Sequence, residues 1–178
     1  MLKRKAGFTL MELLVVVMIA AAVVVLSVPS YKKTQDRSRF DSAKGLLIDL
    51  GMAVQSLRAD LSTVGKTFPV DGSNLSLSSS WQTGSLSNEN TRTVDFTSNS
   101  DLGIALFARE YIPPIRFTSG STYYGYSFTI CADVNNPGGC CARQAEGNPN
   151  AVVCMSGGSD TYQGAQYLED NSIVRIGT

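Results

Sequence analysis

The chain has 178 residues, with 15 lysines or arginines, 15 aspartates or glutamates and no histidine. This length suits one domain with an appendage. The missing histidine excludes Ser-His-Asp catalysis and histidine-ligated zinc or haem. The charges are segregated, since residues 1–7 and 31–44 each carry +3 and residues 45–178 carry −5. This excludes a globally basic nucleic-acid-binding protein, and an apolar content of 43% excludes a disordered chain.

The N-terminal region contains a segment long enough to cross a membrane. Between Leu13 and Val28 there is no charged residue. As a helix, residues 8–28 would measure about 31 Å, which matches the hydrocarbon thickness of a bilayer. The basic residues before this segment predict a cytoplasmic N-terminus and an outward-facing remainder of the chain. A cleaved secretory signal peptide is the alternative, but its apolar run is usually shorter and it gives no reason for Glu12.

The residues around the start of the apolar run form a recognisable motif. The string Lys5-Ala6-Gly7-Phe8-Thr9-Leu10-Met11-Glu12 resembles the class III signal of type IV pilins and type II secretion pseudopilins. The resemblance implies that a membrane aspartyl protease, the prepilin peptidase, cleaves after Gly7 and then methylates the Phe8 amine. It also implies that Glu12 neutralises the terminal amine of a neighbouring subunit. A carboxylate in lipid is expected to need such a partner of opposite charge.

The resemblance also implies a function and a location. It predicts a structural subunit, a major or minor pilin in a homo-oligomeric or mixed filament. We expect no enzymatic activity, no cofactor and no metal site. Its partners would be the prepilin peptidase and the inner-membrane assembly platform, while a nucleic-acid partner stays open. The chain would cross the inner membrane once, with its head in the periplasm, and then enter an extracellular pilus. A pseudopilin in a periplasmic pseudopilus is the nearest alternative, and a membrane-anchored binding protein is a more distant one. The sequence does not distinguish adhesion, twitching motility, DNA uptake and secretion as the role of the filament.

The membrane segment is predicted to continue into an amphipathic stem helix. The leader would be residues 1–7, the assembly helix residues 8–30 and the stem residues 31–62. Pro29 should kink the helix and not end it, because the helical pattern resumes afterwards. Four cations follow it in what we call the basic collar, residues 32–39, namely Lys32, Lys33, Arg37 and Arg39. We expect them to be solvated or, in a packed filament, to face acidic side chains of adjacent subunits.

An apolar stripe then runs along the stem with spacings of three and four residues. Its members are Phe40, Ala43, Leu47, Leu50, Val54, Leu57 and Leu61. We interpret the stripe as the face that packs on the rest of the domain, with a coiled-coil seam as the alternative.

Residues 63–114 are predicted to form a polar region with one short helix. Nineteen of the thirty residues from Asp71 to Ser100 are Ser, Thr, Asn or Gly, which is typical of a long loop. Trp81 is expected to anchor this loop in the core, and Asn74-Leu75-Ser76 is a weak glycosylation sequon. Residues 101–111 should form a helix that stops before the two prolines at 113 and 114.

Residues 115–178 are predicted to form an antiparallel sheet, which makes the whole fold α+β with the long helix packed on the sheet. Strict alternation of apolar side chains from residue 123 to 131 is the strongest strand signal. Further strands are expected at 115–119, 141–145, 151–155 and 172–176, with a turn at 146–150.

Four cysteines lie in this head, Cys131, Cys140, Cys141 and Cys154. An even number in an exported domain predicts two disulfides. A bond between the adjacent Cys140 and Cys141 would be strained, so the other two connectivities both stay open. A metal site of four thiolates is disfavoured, because no Cys-x-x-Cys spacing is present.

Two other apparent motifs are rejected. Gly65-Lys66-Thr67 resembles the end of a phosphate-binding loop, but Asp60 occupies the position of its first glycine. The carboxylates of Asp160, Glu169 and Asp170 match no calcium-loop spacing, so surface charge is the better interpretation.

Overall fold

A computed structural model describes residues 9–62, 72–86, 98–132, 138–144, 147–159 and 161–176. The chain divides into two units, residues 1–38 and residues 39–178. The described helices are α1 (Leu10–Ser62) and α2 (Asn99–Ala108), with short 3₁₀ turns at Ser79–Gln82 and Gly139–Cys141. The strands are β1 (Leu75–Ser76), β2 (Tyr126–Ile130), β3 (Ala151–Gly157), β4 (Gly164–Leu168) and β5 (Ile173–Ile176).

The five strands form one sheet in the order β1-β2-β3-β4-β5, and every neighbouring pair is antiparallel. A register shift between Ala151 and Val153 interrupts the pairing of β3 with β4. A long N-terminal helix followed by an antiparallel sheet is the α+β fold that the sequence predicts, so this prediction is confirmed.

The apolar stripe of α1 forms the core face of the second unit. All seven of its members are at most 1% exposed. At its first position, the Phe40 ring lies 6.0 Å from the ring of Tyr126 and 5.3 Å from that of Tyr162, measured between centroids. Farther along, Gly51 lies directly against the Tyr167 ring of β4. The interpretation as a packing face is therefore correct within this unit.

Strands β3 and β4 are buried on both faces of the sheet along most of their length. Val153, Met155 and Tyr167 belong to the apolar cluster that contains the α1 stripe. Cys154 and Leu168 belong to a second cluster, together with Cys131, Cys141 and Ala151. Since neighbouring strand residues point to opposite faces, one face of the sheet packs on α1 and the other packs on the disulfide-bonded segment.

The polar region contains more packed structure than a loop. It supplies β1, which pairs with β2, and the 3₁₀ turn, whose Trp81 is 6% exposed. The prediction that this tryptophan anchors the region is confirmed. The predicted helix at 101–111 is present as α2, and it begins earlier because the Ser98 hydroxyl accepts a hydrogen bond from the Asp101 amide at 3.2 Å.

The predicted strand at 115–119 is wrong. The backbone of Ile115 bonds to the side chain of Gln82, which accepts from the Ile115 amide at 2.7 Å and donates to its carbonyl oxygen at 3.0 Å. A side-chain amide thus replaces a neighbouring strand. Tyr124, counted in the alternating run, lies in the turn before β2 with a φ of 52°.

The predicted strand at 141–145 is also wrong. In its place a 3₁₀ turn ends at Cys141, and residue 145 lies outside the described residues. Two disulfides and the side chain of Gln166 hold the segment, and its described part, residues 141–144, pairs with no strand. Conversely, β4 was not predicted, because a strand buried on both faces shows no alternation of polar and apolar residues.

Candidate functional site

The first turn of α1 positions the single carboxylate of the apolar segment. Thr9 precedes the helix, and its carbonyl and hydroxyl oxygens accept hydrogen bonds from the Glu12 amide at 3.1 Å and 3.3 Å. Thr-x-x-Glu is the capping-box spacing, which favours a helix start at this point. Glu12 is exposed in the first turn, where the helix dipole favours a negative charge. The role of Thr9 was missed in the sequence, although this spacing signals it.

The residues after Glu12 present an apolar surface on every side of the helix. Leu10 is 83% exposed, Met11 77% and Val25 72%, and many other large apolar side chains between residues 13 and 28 are also exposed. Among the described residues, α1 is the one helix long and apolar enough to cross a membrane, judged by its length and composition. A helix that is apolar all round needs lipid or other helices around it. It is therefore suited to membrane anchoring.

Several predicted site residues remain predictions. The leader, Gly7 and Phe8 lie outside the described residues. At Pro29 the helical backbone continues without interruption, while the kink itself is untested. The four cations of the basic collar are exposed, and their contact with acidic groups of other subunits also remains a prediction.

In the head, the four cysteines form two disulfides. Cys131 pairs with Cys141 and Cys140 pairs with Cys154, with Cα atoms 5.6 Å and 5.9 Å apart. This is one of the two connectivities that the sequence left open. The sulfur atoms of Cys131, Cys141 and Cys154 lie within 4.8 Å of one another. They are close enough to share an ion, but a metal requires thiolates, and here all four sulfurs are in disulfide bonds.

Two polar side chains hold the disulfide-bonded segment in place. Gln166 of β4 is 1% exposed, and its Nε2 donates to the carbonyl oxygens of Cys140 at 2.5 Å and Ala142 at 2.7 Å. From α1, the Arg58 guanidinium donates to the Cys131 carbonyl oxygen at 2.5 Å. Neither residue was identified from the sequence. A polar Gln among buried strand residues is the signal that marks the first of them.

The sequon at Asn74 is used by the fold itself. The Asn74 Oδ1 accepts a hydrogen bond from the Ala132 amide at 2.9 Å, and its Nδ2 donates to the Gly138 carbonyl at 3.4 Å. A glycan would have to be attached to this Nδ2 atom. The folded head is therefore a poor substrate for modification at this position.

Of the residues in the two rejected motifs, the structure describes Asp60, Glu169 and Asp170. Gly65-Lys66-Thr67 and Asp160 lie outside the described residues. A hydrogen bond with the Ser172 side chain lowers the pKa of the Asp170 carboxyl, and so does the hydrogen bond that this carboxylate accepts from the Ser172 amide at 3.0 Å. The Asp60 carboxylate accepts a hydrogen bond from the Tyr111 hydroxyl. Burial and this carboxylate raise the pKa of Tyr111, so Asp60 fastens the end of α1 to the segment after α2.

Comparison with known proteins identifies the N-terminal region. Residues 2–28 match a family model described as the prokaryotic N-terminal methylation motif, which is the class III signal of type IV pilins and pseudopilins. No curated protein and no solved structure matches the chain. The match supports a pilin-like or pseudopilin precursor. Proteins of this type are structural and are not known as enzymes. Such a motif generally implies processing by prepilin peptidase and assembly into filaments.

Proposed function

We propose that this chain is a structural subunit, major or minor, of a type IV pilus filament. The observation that carries the proposal is the methylation motif at residues 2–28, joined to a helix that exposes apolar side chains on all sides. Lipid surrounds such a helix before assembly, and the helices of other subunits surround it afterwards. The same surface therefore serves both states.

Each motif residue has a distinct role in this proposal. Prepilin peptidase cleaves after Gly7 on the cytoplasmic face and methylates the new Phe8 amine. The Glu12 carboxylate, placed one turn into the helix by the Thr9 cap, pairs with the Phe8 amine of a neighbouring subunit. In an apolar surrounding an ion pair is far better than either charge alone, so subunits that make this contact are favoured over isolated ones.

The proposed location follows from the same parts. The chain crosses the inner membrane once, with the head outside, and the assembly platform then moves it into the filament. The two disulfides of the head are consistent with this location, because disulfides form and persist in oxidising compartments. A type II secretion pseudopilin shares the methylation motif, so the cell-surface location of the mature chain decides between the two.

The test is mass spectrometry of the N-terminus of filaments sheared from the surface of the producing cell. We expect a mature chain that starts at a singly methylated Phe8. In Gly7→Val cells the leader should stay attached, because the cleavage site would have to accommodate a side chain where glycine has none. Ala6→Val is the matched control, and its chain should be processed normally.

Two results would contradict the proposal. One is a mature chain starting at Phe8 from the Gly7→Val variant, which would remove the assigned role of glycine. The other is a mature, methylated chain that is found only in membranes and never in sheared filaments. That outcome would support the pseudopilin.

A further inference from the structure

A groove of about 410 Å³ lies on the head between α1 and the segment that follows α2. Ser42, Gly45, Leu46 and Asp49 of α1 form one wall, and residues 112–116 with Tyr123 form the other. The apolar part of its lining includes Leu46 and the two prolines at 113 and 114. None of the residues that carry the disulfide site or the methylation motif lines it.

A glycine in this groove has no explanation within the subunit. A Cβ atom added to Gly45 would meet nothing within 4 Å. The other glycines near the middle of described helices do have reasons, since Gly51 faces the Tyr167 ring and Gly103 faces the Trp81 ring. A glycine inside a helix costs about 1 kcal/mol relative to alanine. Gly45 therefore leaves room for something that approaches α1 from outside.

The groove also carries one exposed charge of each sign. Asp49 stands on the helix wall and Arg116 on the opposite wall. Within the part of the chain that the structure describes, neither side chain has a hydrogen bond or ion pair. An occupant of the groove should therefore carry a cation that meets Asp49 and an anion that meets Arg116.

The basic collar of the same chain carries that pair of charges. Lys33 and Asp36 are three residues apart, so they lie on one face of α1. Among the described residues neither side chain has a hydrogen bond or ion pair. The cation would meet Asp49 and the anion would meet Arg116.

We propose that the collar of a second copy of this chain docks in the groove, with its Lys33 facing Asp49 and its Asp36 facing Arg116. This inference rests on the proposed filament function, because a filament is what brings the stem of one subunit against the head of the next. Gly45 allows the two helices to approach closely at the contact.

A cysteine cross-link tests the contact directly. Cells make two copies of the full chain, one with Lys33→Cys and one with Asp49→Cys, and a short bis-maleimide is added to their filaments. We expect a covalent dimer. Lys33→Cys with Glu169→Cys is the matched control, since Glu169 is an exposed carboxylate outside the groove, and it should give none. An equally weak dimer from both pairs would overturn the inference.

Charge reversal gives a second readout. Asp49→Lys alone and Lys33→Asp alone should each lower filament yield at least about fivefold, because like charges would then face each other. The double variant should recover most of the yield. Glu169→Lys controls for the change in net charge and should leave the yield unchanged. A double variant no better than its parents would contradict the pairing.

Gly45 separates a contact role from a structural one. Gly45→Ala should not lower the Tm of the detergent-solubilised chain, because a methyl group has free space in the subunit. Gly45→Leu should also fold, since it projects into the groove, yet its filament yield should fall. Normal yield from Gly45→Leu would show that nothing approaches the helix there.

Labelling distinguishes the second copy from other occupants. The thiol of Asp49→Cys should resist a bulky maleimide in intact filaments and react after detergent dissociates them. Full labelling of intact filaments would overturn the inference and leave the groove for a soluble ligand. If these filaments still contain a chain that starts at methylated Phe8, the proposed function stands while the docking fails. If the wild type forms no such filaments, both fail.

Discussion

At the scale of single residues, two glycines of α1 have opposite surroundings. At Gly51 an added Cβ would collide with the Tyr167 ring, which is 2% exposed, while at Gly45 it would meet nothing. The same substitution should therefore have opposite effects at the two positions.

We predict that Gly51→Ala lowers the free energy of unfolding by about 1–3 kcal/mol, because overpacking forces the helix away from the sheet. Thermal unfolding of the detergent-solubilised chain measures the effect. Gly45→Ala is the matched control and should leave the protein as stable or slightly more stable. Equal Tm values for the two variants would show that α1 does not pack closely on β4 at this point.

Gln166 is the second residue whose surroundings allow a sharp prediction. Replacing it by leucine keeps its size but removes its hydrogen bonds to the carbonyls of the half-buried Cys140 and Ala142, although the Ala142 carbonyl still accepts one from the Gln144 side chain at 3.1 Å. We expect a loss of about 1–3 kcal/mol in unfolding free energy.

Gln163→Leu is the control for this change, since Gln163 is exposed just before β4. A short proteolysis assay of the head also reports on the segment, which should be cut faster in Gln166→Leu. If both variants unfold and are cut like the wild type, the buried amide does not hold the turn.

At the scale of elements, the sequence predicted what the local pattern dictates. The α1 stripe and β2 show clear periods, because each has one buried face, and both were found where expected. The class III signal was recognised for a similar reason, since Gly7, Phe8 and Glu12 stand at fixed spacings beside a charge-free run.

The errors occurred where long-range contacts replace the local pattern. Ile115 is satisfied by Gln82, thirty-three residues away in sequence. The conformation of residues 139–142 depends on hydrogen bonds from β4 and on disulfides to two cysteines elsewhere in the chain. The local sequence pattern therefore does not predict this conformation. The pairing of the four cysteines was undetermined for the same reason, because spacing alone does not bring sulfur atoms together.

The disulfide-bonded segment covers the part of one sheet face around Cys154 and Leu168, which makes its covalent bonds important for stability. We predict that Cys131→Ser and Cys154→Ser each lower the amount of folded head, since the loss of a native disulfide costs about 2–5 kcal/mol in a small exported domain. The assembly helix should still insert in the membrane, because lipid stabilises it independently. Immunoblots of membrane fractions measure the amount of inserted chain, and the same blots after protease treatment measure the amount of folded head.

The pairing itself can be checked in the wild type. Denatured but unreduced protein should contain no reactive thiol, and peptide mapping without reduction should recover Cys131 with Cys141 and Cys140 with Cys154. Four free thiols would contradict both disulfides and restore the thiolate metal site. The alternative pairing of Cys131 with Cys140 would contradict the assigned connectivity alone.

At the scale of the whole molecule, the charges are segregated along the chain, and each segment has a different proposed role. Three cations precede the apolar segment, and in the proposed function they hold the N-terminus on the cytoplasmic side. The collar follows that segment, and the head carries the net negative charge. Within this arrangement the carboxylate of Glu12 is the exception, because it is the only charge of the apolar segment and makes insertion harder. Its benefit must arise after insertion.

Glu12→Leu separates insertion from assembly. We predict that this variant enters the membrane at least as well as the wild type, because a charge has been removed from an apolar helix. It should also be cleaved and methylated, since Gly7 and Phe8 are unchanged. Filament yield should fall strongly, because the Phe8 amine of the neighbouring subunit then lies among apolar side chains with no partner. The measurements are the N-terminal mass of the membrane-bound chain and the amount of chain in sheared filaments.

Ser30→Leu is a suitable control for Glu12→Leu, because it also raises the apolar content of the helix but removes no charge. It should be inserted, processed and assembled. Glu12→Asp keeps the charge on a shorter side chain and should assemble better than the leucine variant if the carboxylate acts as a charge partner. Wild-type filament yield from Glu12→Leu, with no other subunit supplying the contact, would show that assembly needs only the apolar surface of the helix. A low yield from both substitutions, with normal insertion and processing, would show that the amine requires the full reach of a glutamate.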